Sequence, residues 1–295
     1  MAEELEYRYE KLMDELAVLR AVRPEENFYN VYILGRKGAA AIVDAAVADA
    51  ADGLIQTLQE NGWRPEDFRS ILITHEHGDH YGAAPALARW AGHAEIMAHV
   101  CAARAMGQPP QRDQAPAVRT QRLLWDGDTV QISGAAWQVL HVPGHAAGHV
   151  LLHDPARHVA LAGDMIQGCR AAKGWLGLIE DVRLQRQSLQ RLRDLNPSLV
   201  LMGHHHPLAK QEIGQDIAAA LNRLDKLIDA IAEPLRRGIN DIESLGRLAF
   251  QAIFQTQPDP IPPYALVTVR AILTELSLQG LAALERSEQW RWAGP

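Results

Sequence analysis

Short apolar runs alternate with amphipathic stretches along most of this chain, and their spacing predicts a mixed α and β protein. Phe28 to Leu34 and Ala39 to Val43 read as two strands around the turn Gly35-Arg36-Lys37-Gly38. Ala46 to Glu60 has helical spacing and is stopped by Asn61-Gly62. Ile71-Leu72-Ile73 is a short buried strand, Tyr81 to Trp90 a helix, and Ala94 to His99 another strand. Asp126-Gly127-Asp128 is a tight turn into Thr129 to Ile132, which pairs with Ala136 to Val142. Further strands are expected at His149 to His153, Val159 to Ala162 and Leu199 to Met202, with an amphipathic helix at Val182 to Leu195. The first 26 residues are charged, and a helical or loosely ordered lead-in is expected there. Cys101 to Leu124, broken by Gln108-Pro109-Pro110-Gln111 and Ala115-Pro116, is expected to be an irregular insertion that sets substrate choice. Residues 167–180, with Lys173, Trp175 and Leu178, read as a second loop.

The pattern changes near Gly214. Ile217, Leu221, Leu224, Ile228 and Ile231 mark one face of a long helix ending at Leu235. Asn240-Asp241 offers a cap for a helix from Ile242 to Phe254. Pro258-x-Pro260-x-Pro262-Pro263 is a stiff linker into a helix that runs to Leu278, and Leu281 to Trp292 can form a short hairpin after Gly280. Two domains are expected, residues 1–213 and 214–295. No unit repeats at a fixed period. Alternating strands and helices in the larger domain predict two sheets covered by helices.

Composition narrows the function classes. The 295 residues are 47% hydrophobic, enough for one large core and a small one. The net charge is −7 with no Lys/Arg block, which disfavours unspecific nucleic-acid binding. Cys101 and Cys169 are isolated and form no disulfide framework. The acidic start Met1-Ala2-Glu3-Glu4-Leu5-Glu6 lacks the features of a signal peptide, and no apolar run approaches the ~20 residues that span a bilayer. A soluble, cytoplasmic protein without membrane partners is expected.

The candidate chemistry lies in Thr74-His75-Glu76-His77-Gly78-Asp79-His80, directly after the Ile71–Ile73 strand. A strand-to-helix turn lets these side chains converge, and imidazole with carboxylate is the ligand set that zinc and similar ions favour. Residues at i and i+2 of an extended turn can face one ion, and Gly78 lets the chain redirect before Asp79 and His80.

His75-x-His77-x-Asp79-His80 resembles the HxHxDH signature of the metallo-β-lactamase superfamily. Pro143-Gly144-His145, Leu161-Ala162-Gly163-Asp164 and Met202-Gly203-His204 resemble its downstream motifs, in order and each after a β-like run. The resemblance implies an α+β fold, the αβ/βα sandwich, with metals at one edge between the sheets. It implies that His75, His77 and His145 hold one ion, that Asp79, His80 and His204 hold a second, and that Asp164 bridges them. His205 and His206 are then solvent-facing or supporting. Asp44 is either an acceptor near the metals or a cap for the following helix. His93, His153 and His158 are expected to be exposed, and His99 structural. His141 is a candidate support for the site, and Tyr81 and Trp175 belong to a pocket or the core. His149 resembles a histidine of one branch of the family, although Gly148 stands where that branch has aspartate. The C-terminal helices and hairpin resemble the winged-helix appendix of that branch, which includes an endoribonuclease and acyl-thioester hydrolases. The helix 263–280 carries Arg270 as its only cation, and Arg286 and Arg291 are balanced by Glu285 and Glu288. Packing within the chain or against another subunit, including a homodimer, is therefore expected rather than DNA binding.

The implied chemistry is hydrolysis with two divalent ions, zinc first and iron or manganese next. The ions would share a hydroxide, with Asp79 orienting it as the catalytic residue. The expected substrate is a small thioester, ester or lactone. The alternative is a phosphodiesterase or endoribonuclease, and a regulatory protein with a vestigial metal site is a third reading. The missing signal peptide speaks against a secreted β-lactamase. A glutathione-thioester hydrolase would bring a basic set in the C-terminal helices that this chain does not clearly carry. His77 and the missing flavin domain speak against a di-iron redox enzyme.

Overall fold

In the computed structural model, residues 5–23, 28–92, 94–108, 115–167, 175–285 and 289–294 are described. His93, Pro109, Pro110, Gln111, Cys169, Lys173, Arg286 and Glu288 lie outside them. The chain divides into two compact units. The first takes Met1–His141, Ala147–Asp164 and Pro197–Lys210, and the second takes Val142–Ala146, Met165–Asn196 and Gln211–Pro295.

The first unit is built on two sheets. Seven strands run in sequence order: β1 (Glu6–Met13), β2 (Leu16–Val22), β3 (Phe28–Leu34), β4 (Ala40–Val43), β5 (Phe68–Ile73), β6 (Glu95–His99) and β7 (Arg122–Leu124). β1 to β4 are antiparallel neighbours, and β4 to β7 pair in parallel. The parallel strands require crossovers, which α1 (Ala51–Glu60), the short α2 (Gly78–Tyr81), α3 (Ala84–Trp90) and α4 (Val100–Met106) supply. The second sheet contains β8 (Thr129–Ile132), β9 (Ala135–His141), β10 (Val150–Asp154), β11 (Val159–Gly163), β12 (Leu199–Met202) and β13 (Leu208–Ala209), in the order β13-β12-β11-β10-β9-β8.

Period-two alternation decides how the sheets bury. On β2, Leu16 and Val18 join a core with Val139, Leu152 and Leu161 of the other sheet. Ala17, Leu19 and Ala21 face the opposite way, into a core with Leu54, Leu58 and Leu87 of the helices. A strand buried on both faces reads as a near-continuous apolar run, and Leu16–Val22 does so except at Arg20, whose buried guanidinium pairs with Glu10 at 2.6 Å.

The hairpin β1–β2 replaces the helical or loose lead-in that the charged N-terminus suggested. Its charges lie on the outer side of an edge strand, while Tyr7 and Tyr9 pack onto the helix-side core. The region Cys101 to Leu124 is more ordered than expected, because α4 and β7 occupy its two ends. The predicted helix Tyr81 to Trp90 is broken by Gly82-Ala83 into α2 and α3. His153, expected at the surface, is buried on β10 at 6% exposure. His158 is exposed, as expected.

The second unit holds α5 (Val182–Leu195), α6 (Lys210–Arg236, whose first residue belongs to the first unit), α7 (Ile242–Phe254), α8 (Pro263–Leu278) and the hairpin β14–β15 (Ala282–Leu284, Trp290–Trp292). Asp181 caps α5 by accepting from the Leu184 N–H at 2.8 Å, and Asp241 caps α7 by accepting from the Ser244 N–H at 2.8 Å. Leu224, Leu227, Ile231, Leu245, Phe250, Val269 and Ile272 form its core, and Leu176 and Ile179 from the loop before α5 join them. Among the described residues, no helix is long and apolar enough to cross a membrane.

Candidate metal centre

The C-terminal ends of parallel strands deliver the first unit's polar cluster. β5 ends at Ile73, after which Thr74 to His77 leave the sheet and α2 carries Asp79 and His80. β4, its parallel neighbour, delivers Asp44. In the other sheet, parallel β11 and β12 end just before Asp164 and Gly203-His204. Open α/β sheets place ligand groups at such strand ends.

These residues converge. His80 Nε2 lies 3.2 Å from His204 Nε2. Asp164 Oδ2 is 3.2 Å from His204 Nε2, Asp164 Oδ1 is 3.5 Å from His80 Nε2, and Asp79 Oδ2 is 3.2 Å from His204 Nε2. His75 joins through its ring, 4.0 Å from that of His80, and the His77 ring stands edge-on to His75 at 4.7 Å. Two sets of donor atoms lie within 4.8 Å of one another, Asp79-His80-His204 and His75-His80-Asp164. Ligands bound at roughly 2.0–2.2 Å to a tetrahedral ion stand about 3.3–3.6 Å apart, close to the separations around His204 and His80. Imidazole nitrogens and carboxylate oxygens gathered in this way suit divalent metal ions.

Hydrogen bonds set the tautomers that ligation needs. Asp44 is 2% exposed and accepts from the Thr74 N–H and hydroxyl, both at 2.8 Å. Its Oδ2 also lies 2.9 Å from His80 Nδ1, so that ring carries a proton on Nδ1. The Thr74 hydroxyl spends its hydrogen on Asp44 and can therefore only accept from His75 Nδ1, at 3.0 Å. His204 Nδ1 donates to the Phe28 carbonyl at 3.0 Å. All three rings thus keep Nε2 for a metal, the outer-shell pattern of metal-bound histidines. Asp44 is an acceptor near the site, the first of the two roles its position allowed.

Electrostatics point the same way. Burial opposes a charge on His80, yet Asp164, Asp44 and Asp79 raise its pKa to about 10. Burial also opposes charge on His204, and Asp164 with Asp79 still lifts it well above the usual imidazole range. Burial would raise Asp164, but His204 and His80 hold it well below the usual carboxylate range. Protons on these imidazoles neutralise an anionic cluster that a divalent cation would neutralise instead. His77 behaves differently: burial lowers it to about 4, and it is neutral at physiological pH.

The backbone at the strand ends leaves no slack. A Cβ on Gly203 would stand 2.2 Å from Asp164 Oδ1 and 2.6 Å from His80 Cε1, so only glycine lets β12 approach the cluster. Asn30 Nδ2 donates to the Met202 and His205 carbonyls at 2.7 and 2.8 Å, and the Tyr32 hydroxyl to Met202 at 2.7 Å, fixing the turn that carries His204. No residue pattern in the sequence marked Asn30 or Tyr32, because their partners are distant backbone carbonyls. His149 is fully buried, with its ring edge-on to His75 at 4.8 Å. Tyr81 is core at 6% exposure. His99 is buried and stacks on His141 at 3.9 Å. His205 is half-buried and His206 exposed.

His145 stands in the second unit. Its Nδ1 lies 2.7 Å from the Leu178 carbonyl and 2.8 Å from Gln167 Nε2. The Gly144 carbonyl accepts from the Glu180 and Asp181 N–H groups at 2.7 and 3.0 Å, and Ser188 Oγ donates to the Pro143 carbonyl at 2.7 Å. Pro143-Gly144-His145 is therefore held by the loop before α5 and by α5 itself. Trp175 stacks on Tyr264 at 3.9 Å.

Comparison with known proteins identifies the fold. A metallo-beta-lactamase family protein of Thermus thermophilus superposes with a TM-score of 0.79 at 23% identity, covering 96% of this chain and 100% of that one. In sequence, a hydroxyacylglutathione hydrolase of Cereibacter sphaeroides is 29% identical over 170 residues, 57% of this chain and 58% of the relative. An atrochrysone carboxyl ACP thioesterase of Pseudocercospora fijiensis is 27% identical over 212 residues, 71% of this chain and 57% of the relative. The chain thus spans less than two thirds of the length of these two relatives. Residues 24–204 match the family described as the Metallo-beta-lactamase superfamily, a span that contains every candidate ligand from His75 to His204. With both sheets, the strand-end histidines and the paired carboxylates in that order, the chain belongs to the metallo-beta-lactamase superfamily.

Proposed function

We propose that this protein is a dinuclear metal-dependent hydrolase, zinc being the first choice of ion, acting on a small thioester, ester or lactone. The observation that carries the reading is the convergence of Asp79, His80, Asp164 and His204 at ligand-like separations of 3.2–3.5 Å. The motif order assigns His75, His77 and His145 to one ion, Asp79, His80 and His204 to the other, and Asp164 to both. Divalent ions, when bound, bring the pKa of water toward about 7 and polarise an acyl oxygen.

The protein's own groups do the rest. Asp44 and Thr74 hold the His80 and His75 rings with Nε2 turned to the cluster. Asp79 is half-buried while Asp164 lies deeper, so Asp79 is the carboxylate placed to orient an incoming water by accepting its hydrogen bond. Burial opposes its ionisation, but His80 and His204 depress its pKa far enough to keep it anionic at any working pH. A thiolate leaving group, with a pKa near 8.5 for a simple thiol, departs without a dedicated acid. Two relatives are named as a hydroxyacylglutathione hydrolase and an ACP thioesterase, which supports the thioester class first. Residues 1–213 would carry this chemistry in the cytoplasm, with 214–295 as a winged-helix-like appendix.

A panel of acyl thioesters, aryl esters and lactones tests the proposal. The zinc-loaded protein is expected to hydrolyse at least one thioester. Asp79→Ala should lower kcat/KM by about 10²–10⁴-fold, the range for losing a positioned proton acceptor. Absence of turnover across the panel, or undiminished turnover in Asp79→Ala, would refute it. A salt-sensitive shift of RNA on a gel would favour the nuclease alternative.

A further inference from the structure

We propose that Thr268, on the C-terminal helix α8, is a positioning residue for the metal ligand His145, and that the C-terminal helices serve to hold that ring's tautomer. The inference rests on the reading of His145 as a ligand. It concerns contacts within the second unit only.

His145 Nδ1 has two neighbours that ask for opposite states. The Leu178 carbonyl at 2.7 Å can only accept and needs a proton on Nδ1. Gln167 Nε2 at 2.8 Å donates and needs a bare Nδ1. A neutral ring that offers Nε2 to a metal carries its proton on Nδ1. Ligation therefore depends on where the Leu178 carbonyl points.

That carbonyl belongs to a loop with no regular structure, and the helices fix it from both sides. Thr268 is fully buried, at 0% exposure. Its hydroxyl donates to the Gly177 carbonyl at 2.8 Å and accepts from the Ile179 N–H at 3.1 Å. The two bonds bracket Leu178 and hold its peptide groups in one orientation. In the planar trans peptide 178–179 the Leu178 carbonyl points opposite the Ile179 N–H, away from Thr268 and toward His145, and Gln167 Oε1 accepts from the Leu178 N–H at 2.7 Å on that same side. Arg223 on α6 donates to the Trp175 carbonyl at 2.6 Å, extending the grip upstream. The single hydroxyl donates to Gly177 and accepts from Ile179 at once, a capacity that serine shares and valine lacks.

The test follows zinc release from the zinc-loaded, full-length protein into a chromophoric chelator, in wild type and variants. Thr268→Val is expected to weaken one of the two zinc ions by about 10-fold or more, at the low end of outer-shell losses. Thr268→Ser should retain wild-type affinity. Leu245→Ala, which loosens the same core and leaves the hydrogen bonds to the loop in place, should keep both ions. Wild-type affinity in Thr268→Val would overturn the proposal, and so would equal zinc loss in Leu245→Ala. If Thr268→Val fails to fold, Arg223→Met supplies the second reading. It should give a smaller loss at the same ion, and unchanged affinity there would count against the clamp. His145→Asn separates the two layers. Retention of both ions in that variant would sink the ligand reading, whereas loss there with full affinity in Thr268→Val would sink only the role of Thr268.

Discussion

Replacing Asp164 by alanine is expected to abolish hydrolysis and to weaken metal binding by more than about 100-fold, beyond the 10–100-fold that an outer-shell partner costs. Asp164 reaches both His80 and His204, at 3.5 and 3.2 Å. Without it, two imidazoles whose Nε2 atoms stand 3.2 Å apart lose the carboxylate that approaches both of them. Removing one partner of a buried charged pair costs about 3–5 kcal/mol, so the metal-free variant should also melt earlier. Metal titration and thermal melts with and without zinc measure both effects. Wild-type turnover in Asp164→Ala would show that the residue only fills space.

The second large effect is structural. Gly144→Ala should destabilise the protein by about 3–5 kcal/mol, combining a strained backbone with overpacking. Gly144 has a φ of +138°, and a Cβ there would lie 2.4 Å from Gln185 Cα and 2.5 Å from Gln185 N, which are backbone atoms of α5 that cannot turn aside. Gly134 provides the comparison: its φ is +88° with nothing within 4 Å of a Cβ, so its alanine variant carries the conformational cost alone, about 1 kcal/mol. Urea denaturation of both variants separates the terms. Equal, small losses would mean that the Pro143-Gly144-His145 turn does not rest on α5.

What could be read in advance depended on how local each signal was. Helices α5 and α7 were legible to the residue, α5 from its amphipathic spacing and α7 from the Asp241 cap that the structure shows accepting from the Ser244 N–H. Pro263 marked the start of α8. The HxHxDH stretch named its candidates because they crowd into six residues, and Asp164 and His204 followed only from the resemblance of Leu161-Ala162-Gly163-Asp164 and Met202-Gly203-His204 to the superfamily's downstream motifs. The β1–β2 hairpin was missed, since its charges sit on an edge face and masked the inward Tyr7 and Tyr9. The supports of the site were the least visible. Asp44 meets Thr74 and His80 across 30 and 36 residues, and His145 is held by the carbonyl of Leu178, a backbone atom that no residue type announces. Thr268 lies 91 residues from Gly177, and in the sequence it is one more small residue in an apolar helix.

The site rests on charge balance at the strand ends. Asp44, Asp79 and Asp164 gather around His80, whose pKa they raise to about 10 against the effect of burial. Such a cluster is anionic in the absence of protons, and cations are what complete it.

Metal content is therefore the most direct measurement. Protein purified without chelators and analysed by inductively coupled plasma mass spectrometry should carry close to two divalent ions per chain, zinc foremost. A value near zero in folded protein, unchanged after incubation with zinc, would contradict the account at its centre.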